Sequence, residues 1–407
     1  MSGPLARLRV LEWCDELGQL AGKLLADMGA DVIKVEPPAG SSARAVGPFV
    51  KDLPGSNRSL NFWYHNTNKR SVILDIEGNG AEAALFRNLA AHADILLEDR
   101  RPGLLAEHGL SYAELCAANP GLIHCAITPF GQDGPWANYA SSDLVALALG
   151  GPMMMNGYNS EDVPGAPPIR GHGDQGYNTA CHYAVQGTLA ALLFRDRTGE
   201  GQFVDCSMHE ALSSTTEVGL PYWFSARKDV IRQTGRHAAA TRTDEWLHQT
   251  GDDRGIIIYG VGRDNASWKK IKSWLQSEGF GANFDEPRFD DPRARQQARG
   301  APEAAEIMAE MGRFIASQDS ETIYRGGQER RQPWGAVRSP EENLADPHWA
   351  DRGFFVGATG EGLDEPALMP GAPYQFSATP WELRRPAPRL GEHSAEIRQA
   401  AADGRWP

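Results

Sequence analysis

Apolar positions along this chain alternate between two spacings, and the alternation itself predicts the fold. Leu8 to Trp13 is a short apolar run of strand length, and Gly18 to Met28 then sets Leu20, Leu24, Leu25 and Met28 on one helical face before Gly29 closes the helix. Asp31 to Glu36 returns to strand length. The opening segment therefore predicts a β-α-β unit, the building block of a parallel sheet covered by helices. The pattern repeats downstream, with strands expected at Ser71 to Ile76, Asp94 to Glu98 and Leu122 to Pro129, and helices at Gly80 to Ala91 and Tyr112 to Ala118.

Two apolar segments, Ser141 to Leu149 and the Ala- and Leu-rich Ala180 to Phe194, predict buried helices. The turn Thr198-Gly199-Glu200-Gly201 leads into a strand from Gln202 to Cys206, and helical spacing resumes from Met208 to Glu217. Beyond residue 225 the character changes. Polar residues fill Arg227 to Thr243, a strand is expected at Gly255 to Gly260, and an amphipathic helix at Ser267 to Glu278. Phe284 to Arg299, where acidic residues alternate with arginines, predicts a solvated surface segment. Helical spacing returns from Pro302 to Tyr324, and from Gln332 the chain is rich in proline, glycine and aromatics with few long elements.

Length and charge narrow the function. A chain of 407 residues exceeds what one core needs. With 53 acidic residues against 40 Lys and Arg, its formal charge of -13 argues against nucleic acid and anionic membranes. No run of 18 apolar residues occurs, and the opening MSGPLARLRVLEW lacks the apolar centre of a secretory signal, so a cytoplasmic protein is expected. Cys14, Cys116, Cys125, Cys181 and Cys206 are odd in number and form no C-x-x-C pair, which predicts buried thiols. The histidines show no metal spacing, and His209-Glu210 has no second ligand four residues on, so no metal is expected. The residues after the first strand, Cys14-Asp15-Glu16-Leu17-Gly18, lack G-x-G-x-x-G, which disfavours NAD or FAD on a sheet of Rossmann type.

Four internal strings carry a resemblance: Leu24-Leu25-Ala26-Asp27-Met28-Gly29-Ala30-Asp31-Val32-Ile33-Lys34-Val35-Glu36, Asn66-Thr67-Asn68-Lys69-Arg70-Ser71, Phe130-Gly131-Gln132-Asp133-Gly134-Pro135, and Thr198-Gly199-Glu200-Gly201-Gln202-Phe203-Val204-Asp205. Asp346-Pro347, Arg352-Gly353-Phe354-Phe355 and Ala387-Pro388-Arg389-Leu390-Gly391-Glu392-His393 continue it in order. Over nearly its whole length the chain resembles the class III CoA-transferases, a family that includes formyl-CoA transferase, the carnitine CoA-transferase and α-methylacyl-CoA racemase. The resemblance implies an α/β fold with a Rossmann-like large domain from residues 1–225 and 329–407, a small domain from 226–328 inserted in it, and an interlocked-ring homodimer. It also implies a coenzyme A thioester and a free carboxylic acid as substrates, with no permanently bound cofactor. A heterodimer with a paralogue is the alternative assembly.

In that family a carboxylate attacks the acyl-CoA carbonyl, and the resemblance points to Asp174, flanked by glycines just ahead of an apolar helix. Counting back without gaps from Gly187 instead reaches Tyr177, which cannot form an anhydride. Either a local shift returns Asp174 to the site, or Asp174 is an N-cap and the chain is a non-catalytic subunit. For coenzyme A the resemblance implies Glu16, Leu17, Arg44, Leu74, Arg100, Arg101 and Phe130. Pro37, Glu77 and Glu107 stand where the family has cations, and Glu16 where it has a glutamine, so Arg44, Lys69, Arg70, Arg100 and Arg101 would form a rearranged phosphate patch. The racemase branch needs a histidine where this chain has Ser142, which cannot relay a proton as imidazole does, so α-proton exchange is disfavoured; Asp143 after it reads as a helix cap.

Overall fold

The computed structural model describes residues 3–217, 219–261, 264–296 and 300–407. Packing divides the chain into two compact units, one from residues 1–150, 172–215 and 347–407, the other from 151–171 and 216–346. The sequence expectation had set the small unit at 226–328.

The larger unit is built on six parallel strands: β1 (Arg9–Trp13), β2 (Asp31–Glu36), β3 (Lys69–Ile73), β4 (Ile95–Glu98), β5 (Ile123–Thr128) and β6 (Phe203–Ser207). They lie in the order β3-β2-β1-β4-β5-β6, so the winding reverses between β1 and β4. Connections of this kind are helical, and those of Gln19–Asp27, Gly80–Ala90 and Gln175–Thr198 match expected elements. Leu11, Ile33, Val35, Val72, Leu96 and Phe86 join one continuous core on this sheet.

Central strands of a sheet covered on both faces are buried throughout, and here that burial includes charge. Glu12, Lys34, Glu36 and Lys69 are fully enclosed. Register explains how: Glu12 lies opposite Lys34, whose Nζ sits 2.9 Å from Glu12 Oε1, while Lys69 Nζ sits 2.7 Å from Oε2. Burial pulls the Lys69 ammonium down to about 8 against the upward pull of Glu12.

The smaller unit has its own core of Ile256, Trp268, Trp274, Phe314, Trp334 and neighbours. Phe284 and Phe289 belong to it, both with no exposed surface, and Arg295 is buried with Nη1 donating to Phe289 O at 2.7 Å. The segment expected at the surface is thus anchored by its two aromatics, which the charge alternation around them concealed; residues 297–299 lie outside the described residues. The helix expected over Pro302 to Tyr324 is two, Pro302–Ala316 and Ser320–Glu329, because Asp319 caps the second by accepting the Thr322 N–H at 2.9 Å. Among the described residues no helix is long and apolar enough to cross a membrane, and no cluster of His, Cys, Asp or Glu has metal-site geometry.

Candidate active site

In an open α/β sheet, ligands bind outside the carboxyl ends of the strands where the winding reverses. A cavity of about 420 Å³ lies there, lined by Asp15, Glu16 and Leu17 after β1, Glu77 after β3, Asp99, Arg100, Arg101 and Leu104 after β4, Pro129 and Ser141 after β5, Met208 after β6, and Tyr177 in the first turn of the Gln175–Thr198 helix. Of the sequence candidates, Glu16, Leu17, Arg100 and Arg101 are therefore brought together.

The loop from Cys14 to Gly18 is tied down along its backbone. Lys34 Nζ donates to Cys14 O at 2.5 Å, Cys181 Sγ to Leu17 O at 3.0 Å, and Lys69 Nζ to Gln19 O at 2.8 Å. The Asp15 and Gly18 N–H groups donate to Asp99 Oδ2 at 2.7 and 3.0 Å, and the Gln19 N–H reaches Asp15 O. Among the described residues, the N–H groups of Glu16 and Leu17 meet no acceptor. Two successive donors on a fixed loop at a cavity wall suit an oxyanion or a polarised carbonyl.

Arg100 lies between two carboxylates. Its Nη2 reaches Asp15 Oδ2 at 2.6 Å and also Asp99 Oδ1, and Nε reaches Asp99 Oδ1 at 3.2 Å. Burial works to lower the guanidinium, but Asp99 and Asp15 outweigh it and hold it above its ordinary value. Burial also drives Asp99 upward, while Asp15 overcomes its own burial through Arg100 and ends below the ordinary range. Arg101 is exposed and pairs with Glu107, Nη1 to Oε1 at 2.7 Å. Asp15 and Asp99 were not anticipated; the signal available was that both follow the two strands flanking the point of reversal.

Other candidates lie elsewhere. Arg44 spends all five donors on Glu36, Ser56 O, Asn57 and Pro388 O, Lys69 is committed to Glu12, and Arg70 pairs with Asp31 at 2.6 Å. These three are internal ion pairs, so of the expected cations the cavity receives Arg100 and Arg101, each already paired with carboxylates. Leu74 sits in the core with its N–H on Glu36 O. Phe130 follows cavity residue Pro129 and packs edge-on against Trp136 and Tyr139 and at a tilt on His209.

Asp174 occupies the N-cap of the Gln175–Thr198 helix, half-buried, and its side chain makes no capping bond. That work falls to Asp143, whose Oδ1 accepts the N–H groups of Gly176 at 2.7 Å and Tyr177 at 3.3 Å. Ser142 caps the Asp143–Leu149 helix through the Val145 N–H. The cavity wall on the long helix is Tyr177, one turn past Asp174. The helix starts before the expected Ala180 because Asp143, remote in sequence, supplies the acceptor that the glycine-flanked start lacks.

Known proteins give the same picture. The curated succinyl-CoA:(R)-benzylsuccinate CoA-transferase subunit BbsE of Thauera aromatica is 35% identical over 98% of this chain and 94% of its own. Succinate–glutarate CoA-transferase of Agrobacterium fabrum is 34% identical over 97% and 94%. The crystal structure of a CaiB/BaiF family protein from Brucella suis superposes with a TM-score of 0.81 at 28% identity, covering 98% of this chain and all of its own. The family model for CoA-transferase family III matches residues 5–394. A six-stranded parallel sheet with its cavity at the point of reversal, and these matches along the full chain, lead to one conclusion: the chain belongs to CoA-transferase family III.

Proposed function

We propose that this CoA-transferase takes coenzyme A from a dicarboxylic acyl-CoA of the succinyl class and passes it to a free carboxylic acid through a covalent intermediate on Asp174. The reading is carried by Glu16 and Leu17, which line the cavity at the sheet's point of reversal and whose N–H groups meet no acceptor among the described residues. The donor class follows the printed names of the relatives, several of which use succinyl-CoA. The Asp174 carboxylate adds to the thioester carbonyl, the C–S bond breaks, and CoA thiolate leaves an acyl-aspartyl anhydride. The thiolate attacks the aspartyl carbonyl, releasing the donor acid and leaving aspartyl-CoA. The acceptor carboxylate and then the thiolate repeat both steps in reverse, so each attack is on a carbonyl whose oxygen gathers negative charge. Amide donors aimed at that oxygen lower each barrier.

The protein works in the cytoplasm, without a resident cofactor, as an interlocked-ring homodimer. Apolar surface supports the last point: Leu220, Trp223 and Phe224 are exposed on the Gly219–Ala226 helix, and Tyr183, Leu193 and Phe194 on the Gln175–Thr198 helix. Sedimentation should find a dimer, and a stable monomer would count against it.

A second reading is favoured by one observation, that Tyr177 and not Asp174 lines the cavity. Under it the chain binds the thioester while a paralogous subunit carries the nucleophile. To separate the two, the chain alone is incubated with succinyl-CoA, trapped with hydroxylamine and mapped by mass spectrometry. A hydroxamate on Asp174, absent from Asp174→Asn, supports the first reading. Bound but unreacted thioester supports the second.

A further inference from the structure

The backbone of the cavity loop is held by a closed circuit of hydrogen bonds that begins and ends on one residue. The Asp15 N–H donates to Asp99 Oδ2; Asp99 Oδ1 accepts from Arg100 Nε and Nη2; Arg100 Nη2 donates to Asp15 Oδ2. Asp15 Oδ1 in turn accepts from Ser41 Oγ, and Asp99 Oδ2 takes a second loop N–H, that of Gly18. The Asp99 side chain is 2% exposed, so it cannot trade these partners for water. Space around the loop is equally fixed: a Cβ on Gly18 would stand 2.6 Å from Cys14 Sγ and 3.3 Å from Asp99 Cβ.

The circuit brackets the two unclaimed donors. Residues 15 and 18 are pinned by one carboxylate oxygen, and the N–H groups between them belong to Glu16 and Leu17. A carboxylate that takes the outer two N–H groups of a four-residue turn fixes the peptide planes of the inner two. Those inner groups can then meet a developing oxyanion without first reorganising, which is where such donors gain their effect.

We propose that Asp99 is a positioning residue for CoA transfer, acting through the Arg100–Asp15 circuit to aim the Glu16 and Leu17 N–H groups at the thioester carbonyl oxygen. Asp99 itself touches no reacting atom. Arg100 serves as the fixed cation that keeps the Asp99 carboxylate in one rotamer, and the guanidinium also lies over the Trp13 ring, 5.6 Å from its centre. This rests on the reading that the cavity takes an acyl-CoA.

The test is Asp99→Asn, which keeps size and one acceptor oxygen but turns an amide toward Arg100. The expected result is a kcat lower by about a hundredfold, the scale of losing one oxyanion donor, with KM for succinyl-CoA within about threefold. A second readout does not depend on turnover. The infrared stretch of a ¹³C-labelled thioester carbonyl, in a bound non-reacting acyl-CoA analogue, should be shifted to lower frequency by the wild-type chain and return toward its solution value in the variant. Should Asp99→Asn not fold, Arg100→Met, which releases the same carboxylate from outside the loop, should show the same fall in kcat and the same return of the carbonyl stretch, with KM allowed to rise because a cavity cation is lost. An unchanged carbonyl shift with kcat within about threefold of wild type would overturn the proposal, as would loss of activity matched by loss of analogue binding. If the wild-type chain binds the analogue yet transfers nothing, the transfer reading fails by itself and the carbonyl shift still decides the role of Asp99.

Discussion

At the scale of single residues, burial decides which charges this protein tolerates. His65 is enclosed, its Nδ1 2.9 Å from Asn61 O, and burial carries its imidazole down to about 4 from an ordinary 6.5, with Lys69 and Lys23 adding to the effect. The unfolded chain takes up a proton below pH 6.5, whereas the folded one resists until about 4, so His65 removes stability as pH falls through that window. The shift corresponds to about 3 kcal/mol at most. Chemical denaturation of His65→Gln at pH 7 and pH 4 should show a smaller loss of stability on acidification than wild type; equal losses would refute it. Residues of this kind were only partly legible. The strand Asp31–Glu36 could be read from its apolar positions, but that Lys34 and Glu36 are fully buried could not. Their partners, Glu12 and Arg44, are set by strand register and chain return, and neither leaves a mark on local spacing.

At the scale of elements, the long helix of Gln175–Thr198 shows one element finishing another. Its first turn begins beside two glycines and has no side-chain cap of its own, so its N–H groups depend on Asp143 at the head of a different helix. Asp143→Ala leaves one buried and one part-buried donor unmet and should lower stability by about 1–2 kcal/mol, read from the denaturant midpoint, with Asp143→Asn recovering part of it. Because Tyr177 is one of those donors and lines the cavity, KM for acyl-CoA should rise in Asp143→Ala beyond what the stability loss explains. A midpoint unchanged in Asp143→Ala would refute the capping role. The body of this helix was legible because a run of Ala and Leu admits little else; its start was not, since the cap comes from 33 residues away. The six-stranded sheet was legible for the opposite reason: each β-α-β step repeats the same local alternation, and the handedness of such crossovers leaves few ways to assemble them.

At the scale of the whole molecule, the acidic balance of the chain reaches into the cavity. A coenzyme A site ordinarily opposes phosphate charge with free cations, and its affinity then falls as salt rises. Here four carboxylates, Asp15, Glu16, Glu77 and Asp99, face two guanidinium groups, and both of those are engaged, Arg100 by Asp15 and Asp99, Arg101 by Glu107. The chain as a whole carries -13. On the proposed function, an incoming thioester with its anionic phosphates is repelled on approach, and the unclaimed amide donors and apolar contact with Leu17, Leu104 and Met208 are what would hold it. Screening weakens the repulsion and leaves short-range contacts nearly untouched. The sign of the salt effect is thus reversed: KM for acyl-CoA should fall, by about two- to fivefold, as ionic strength rises from about 0.02 to 0.15 M, a range over which the Debye length shrinks from roughly 20 Å to about 8 Å. Neutralising one wall should imitate the salt, so Glu77→Gln at low ionic strength should lower KM and flatten the salt dependence together. A KM that climbs with salt would mean that phosphate-binding cations reach the cavity from outside this wall, as they would if a second subunit completed it.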